Sequence, residues 1–192
     1  IFARALPTKV WWDWSTAGKD VSPVPKDQYG EPLYDKQKGD FKWAKNVRPA
    51  YLWFNGSVER YLLGEKMDPT RVTHLNRPRG ERGDKATRIT PFKIMQGKQP
   101  YDSGSNVFAV PQLWGGYWGH WDWNKAIADG MKAAGLSYSG QHAFAPTDMY
   151  WKVNHMVVPK AEALKCNDCH AADGRLDWKA LGYAGDPRSA KK

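Results

Sequence analysis

The 192-residue sequence predicts a mainly α fold with extensive irregular structure and a few short strands. Three observations predict it. Large rings supply the apolar content in place of aliphatic runs, with 11 Trp and 9 Tyr in the chain. Proline and glycine, of which the whole chain holds 13 and 18, interrupt the first half so often that few periodic segments survive there. Helical spacing emerges only beyond Trp114, in HWDWNKAIADGMKAAG and in PKAEALKCNDCH. The expected division is a largely irregular, Trp- and Pro-rich segment over residues 1–113 that wraps another surface, and a helical region over residues 114–192.

In the first part, KVWWDW gathers Trp11, Trp12 and Trp14, and VSPVPKDQYGEPLYDKQKGD follows as a succession of turns. ATRITPFKIM and SNVFAVPQLW read as short strands separated by GKQPYDSGS, a small hairpin. The stretch at 71–88, RVTHLNRPRGERGDKATR, carries six Lys and Arg against two acids, without helical spacing or interleaved aromatics. It reads as a solvated loop, so no nucleic-acid partner is expected.

In the second part, Asp122 is the N-cap of a helix with apolar positions Trp123, Ile127, Met131 and Ala134 and a stop at Gly135. Gly130 weakens it. SYSGQHAFAPTDMYW reads as a loop. Pro159 opens a second helix that runs into the cysteines, and DWKALGY closes in a short turn at Gly182.

Net charge is +9 and mean hydropathy is −0.72. No apolar run approaches spanning length, so no membrane span is expected. The positive excess favours an acidic partner or a small anion. The chain starts at Ile1 with neither an initiator Met nor a signal pattern, which leads us to expect a processed chain, either a mature exported protein, periplasmic or extracellular, or a fragment of a longer precursor.

Residues 165–170, KCNDCH, hold the only two cysteines, Cys166 and Cys169, with His170 directly after. A disulfide at this spacing closes a loop too small to staple anything. A redox dithiol normally opens a helix within an alternating strand–helix pattern, which is missing. Zinc needs four ligands, and C-x-x-C-H is not finger spacing. Covalent haem needs what is present: two thiols to add across the vinyl groups of one porphyrin edge, and a histidine beneath the iron. One haem c is therefore expected on Cys166 and Cys169, with His170 as proximal axial ligand. The opposite face of the iron is open to several candidates. His155, eleven residues before Cys166, leads; a chain of that length reaches up to about 35 Å. His142 is the alternative, followed by Met156 or an open position. Two histidines make an electron carrier, whereas an open position suits a catalyst.

The run MYWKVNHMVVPKAEALKCNDCHAADGRLDWKALGYAGDP resembles the C-terminal region of the octahaem tetrathionate reductase family, within the hydroxylamine oxidoreductase-like multihaem cytochromes. KVWWDWSTAGKD, YLWFNGSVERYLLGEK, LNRPRG, PFKIMQGKQPYD and LWGGYWGHWDWNKAI resemble that region too, in the same order. The resemblance implies a multihaem-cytochrome-like fold, and a last haem site at Cys166, Cys169 and His170 with bis-histidine ligation. It makes His155 an axial ligand, to this haem or to a neighbouring one. The family's other seven haem motifs, the lysine-ligated catalytic haem among them, have no counterpart here. The expected function is thus electron transfer as a subunit or fragment of a multihaem assembly, bound to a multihaem chain or another redox partner. The alternatives are a share in a reductase of tetrathionate or other sulfur or nitrogen oxyanions, with the catalytic haem on another chain, and a free-standing monohaem shuttle. No catalytic residue is assigned to this chain.

Overall fold

A computed structural model describes residues 6–153 and 159–189. Its backbone is 17% helical and 33% strand, so the expected mainly α class is wrong. Nine strands form one mixed sheet in the order β2-β3-β1-β7-β9-β6-β5, with β4 and β8 also paired to β7. They are β1 Thr8–Asp13, β2 Tyr34–Asp35, β3 Gly39–Ala44, β4 Ala50–Phe54, β5 Val58–Arg60, β6 Thr73–Pro78, β7 Arg88–Asp102, β8 Val107–Phe108 and β9 His142–Lys152. Most of the sheet lies in the stretch expected to be irregular.

The physical reason is the ring content itself. Trp, Tyr, Phe, Ile and Thr fit a pleated, half-buried surface better than a helix. Strands such as β1 and β4 pack on both faces, so nearly every position is half-buried and no polar–apolar alternation shows. The expected hairpin exists, but β7 runs straight through GKQPYD, and the turn is only Ser103–Asn106 before β8 pairs back at Tyr101↔Phe108 and Asp102↔Val107. The supposed loop around His142 is β9, whose parallel pairing with β6 aligns Thr73 with Thr147 and His74 with Asp148. Pro146 disguises it, since a proline costs a strand one ladder hydrogen bond.

The chain divides into two compact units, each assembled from three stretches: 1–46, 60–76 and 95–149 form the first, and 47–59, 77–94 and 150–192 the second. In the first unit, β1 pairs antiparallel with β3 and parallel with β7. Three short helical pieces follow β8: an irregular turn at Leu113–Tyr117, α1 at Trp118–His120 and α2 at Trp123–Ala133. Tyr117 and Ala126 are buried with Ala17 under Leu113, Trp118, Trp121 and Trp123. The Tyr117 ring stacks on Trp123 with centroids 3.9 Å apart, and burial pushes its hydroxyl up to about 12. A second cluster joins Tyr101, Phe108 and Ala145 with Tyr61, Met67 and Leu75.

Helix α2 starts and stops where expected. The Asp122 carboxylate accepts the Lys125 amide at 3.1 Å, and Gly135 takes a left-handed φ of 70° just past the end. Gly130 is not a flaw in it. The Val110 carbonyl oxygen lies 1.9 Å from where a Cβ on Gly130 would stand, and the Gln112 amide bonds the Ala126 carbonyl at 2.8 Å. The connection from β8 is therefore laid directly on the helix backbone.

In the second unit, β4 pairs with the first part of β7, Ala50↔Phe92 through Phe54↔Arg88. Phe54 meets Phe92 edge-on at 5.5 Å. Against β4 lies the segment carrying the cysteines: Trp53 Nε1 donates to the Leu181 carbonyl at 3.0 Å, and Leu181 is almost fully buried. Arg48 donates to the Gly174 carbonyl and Arg82 to that of Gly182. The expected turn ending at Gly182 is present, with the Leu181 amide on the Asp177 carbonyl at 3.0 Å.

Candidate functional site

The two cysteines sit on α3, Cys166–His170, a single helical turn. The long helix expected from Pro159 is instead two pieces, a 3-10 turn at Lys160–Glu162 and then α3, because Ala163 and Lys165 are extended. Asp168 nucleates the turn: its carboxylate accepts the Lys165 amide at 2.6 Å. At i and i+3, Cys166 and Cys169 emerge on one side of that turn. Both are free thiols, Cys166 exposed and Cys169 half-buried. The chain then doubles back, with the Arg175 amide on the Asp168 carbonyl at 2.6 Å. Gly174 permits this, since a Cβ there would lie 2.6 Å from the Cys169 carbonyl oxygen.

His170 ends the turn and is held on two sides. Its Nδ1 lies 2.8 Å from Asp186 Oδ1. Its ring stacks on Trp178 with centroids 5.0 Å apart and planes 25° off parallel. Burial would push the Asp186 carboxyl up, but hydrogen bonds from His170 and from the Arg188 amide outweigh it and hold the group below the ordinary carboxylate value. Beside the histidine is an open hollow of about 360 Å³, lined by Ala171, Leu176, Trp178, Lys179 and Asp186 among others.

These residues fit a covalent haem. Two free thiols flank one face, Nδ1 is engaged so that Nε2 is the ring nitrogen left for iron, and the hollow beside them is open. Among the described residues Trp178 Nε1 is buried without a hydrogen-bond acceptor, as a donor awaiting a ligand oxygen would be.

His142, the first residue of β9, belongs to the other unit. Its Nδ1 is 2.7 Å from Asn124 Oδ1, which also accepts the Tyr138 hydroxyl at 2.6 Å. An amide oxygen only accepts, so Nδ1 carries the proton and Nε2 a bare lone pair. Burial pushes the imidazole pKa down, with Asp122 opposing, so the ring stays neutral. His155 and Met156 lie outside the described residues. Asp186, Trp178 and Arg188 had no signal in the sequence, since nothing in their local pattern distinguishes them from ordinary turn residues.

A C-x-x-C-H turn with two free thiols and its histidine's Nε2 left for iron is the attachment motif of c-type cytochromes. The chain belongs to the bacterial cytochrome c family, whose model matches residues 9–173. It is also similar to the crystal structure of octaheme cytochrome c from Shewanella oneidensis, with 50% identity over 100% of this chain and a TM-score of 0.90. The chain spans 45% of that protein's length. No curated protein matches. The resemblance to octahaem cytochromes is thereby borne out, and with it covalent haem c as the class of cofactor. Among the described residues no helix is long and apolar enough to cross a membrane.

Proposed function

We propose that this chain carries a single haem c on Cys166 and Cys169, with His170 as proximal ligand, and passes electrons within a larger multihaem assembly. The observation that carries the proposal is the 2.8 Å contact from Asp186 to His170, the histidine of the sequence's C-x-x-C-H motif. The haem iron supplies one-electron chemistry when bound. The chain's residues do the rest: the thiols tether one porphyrin edge, Asp186 keeps the proton on Nδ1, and the ring of Trp178 shields one face of the imidazole. Two cysteines suffice for one haem, whereas the similar protein is octaheme. Any further haems of such an assembly are therefore bound by sequence outside these residues, as another subunit or as the rest of a longer chain.

His155 is proposed as the distal ligand, to this haem or a neighbouring one. His142 is the second candidate, and its fixed tautomer supports it, since a neutral Nε2 lone pair is what iron takes. A net charge of +9 suits attraction of an acidic partner or of a small oxyanion such as tetrathionate. In that case the catalytic haem belongs outside this chain. An exported location, periplasmic or extracellular, agrees with haem c chemistry.

Intact-mass measurement of the denatured chain tests the proposal. One haem adduct is expected, lost in the Cys166→Ala, Cys169→Ala double variant. An unmodified mass with two reactive thiols refutes it. Conversion of a low-spin spectrum to high-spin by His155→Ala, and not by His142→Ala, identifies the distal ligand; the reverse result assigns it to His142.

A further inference from the structure

We infer that Asp186 and Trp178 are positioning residues for His170: the first strengthens the imidazole as an electron donor, and the second fixes the plane of its ring. The inference rests on the haem proposed at Cys166, Cys169 and His170.

A carboxylate oxygen has no proton to give, so the 2.8 Å contact makes His170 Nδ1 the donor. The same Asp186 oxygen accepts the Arg188 amide at 2.9 Å, which pins the carboxylate in place. The Arg188 guanidinium then reaches Asn167 Oδ1 at 3.1 Å, inside the haem motif itself. Asp186 and Arg188 thus grip both the ligand and the turn that presents it. On the ring face, Trp178 is braced edge-on by Tyr183 at 5.5 Å, and the Arg82 guanidinium lies 4.2 Å over Tyr183. The imidazole can neither swap tautomers nor rotate without breaking one of these contacts.

An imidazole that donates to a carboxylate has partial imidazolate character and is a more basic ligand than one bonded to a neutral acceptor. Greater donation favours the ferric over the ferrous state, so Asp186 lowers the reduction potential. The stack on Trp178 sets the orientation of the imidazole plane about the iron–nitrogen axis, to which the ferric g values respond.

The test uses the haem-loaded full chain. Asp186→Asn keeps the size and an accepting oxygen but removes the charge. The midpoint potential should rise and the near-infrared charge-transfer band of the ferric form should shift, with haem content and low-spin state retained. Asp173→Asn removes an equal charge three residues from His170 and should move the potential far less. Trp178→Leu should broaden or shift the ferric g values with little change in potential. If Asp186→Asn matches the parent chain, or shifts no more than Asp173→Asn, the role of Asp186 is overturned; unchanged g values in Trp178→Leu overturn that of Trp178. Should a variant fail to fold, nitrogen-15 histidine labelling of the parent ferrous chain decides. A slowly exchanging, strongly deshielded Nδ1 proton on His170 is expected, and a fast-exchanging one refutes the bond. Absence of any haem adduct from the parent chain overturns the haem proposal and this inference together, whereas bound haem with an unmoved potential overturns this inference alone.

Discussion

Asp102 shows how a single carboxylate organises a turn without any part in redox chemistry. It is 1% exposed, and it accepts the Gly104 amide at 3.0 Å, the Ser105 hydroxyl at 2.8 Å and the Ser139 amide at 3.1 Å. The Ser139 hydroxyl bonds it as well. Removing it takes the shared acceptor from Gly104, Ser105 and Ser139 at once and empties a buried site, so Asp102→Ala should cost about 2 kcal/mol in urea unfolding. Burial pushes the Asp102 and Asp13 carboxyls up, but hydrogen bonds from Ser139 and Ser15 respectively outweigh it, and both fall below the ordinary 3.8. The folded state then holds these protons less tightly than the unfolded one. Their stabilisation is complete above the unfolded value and drains as pH falls through the lower folded values. Unfolding free energy measured from about pH 6 down to pH 2 should be flat and then decline, with a shallower decline in Asp102→Asn.

Helix α2 was legible because its signals are local: an N-cap, spaced apolar residues and a glycine stop within fourteen positions. The strands were not, because their cues are cross-strand. Trp11 and Trp12 make sense only beside Lys42, Phe41, Gln96 and Gly97 of β3 and β7. The haem motif was visible from spacing alone, whereas Asp186, sixteen residues beyond His170, is related to it only by the fold. Gly130 separates propensity from packing most sharply. Alanine is the better helix former by about 1 kcal/mol, yet its methyl would meet the Val110 carbonyl at 1.9 Å. Gly130→Ala should therefore destabilise by about 2 kcal/mol in thermal unfolding, through overpacking. A rise in melting temperature would show that the connection from β8 yields easily.

At the scale of the whole molecule, the chain matches a little under half of its octaheme relative. An octaheme relative twice as long covers this chain fully, while this chain's two cysteines suffice for the one haem proposed above. Material from the native source should therefore elute in size-exclusion chromatography with more than one haem per copy of this sequence. A well-folded monomer with one haem and no accompanying cytochrome would favour the monohaem shuttle. The assembly of the second unit from three separated stretches also has a consequence in time. Residues 47–59 and 77–94 precede 150–189 both in synthesis and in passage across a membrane, and domains fold as units once their parts are together. The unit that contains the thiols cannot close until the thiols themselves have been made. Before closure they lie in open chain; after closure Cys166 is still at the surface. Folding therefore leaves Cys166 open to haem ligation on either side of that event, whereas Cys169 is half-covered once the unit has closed.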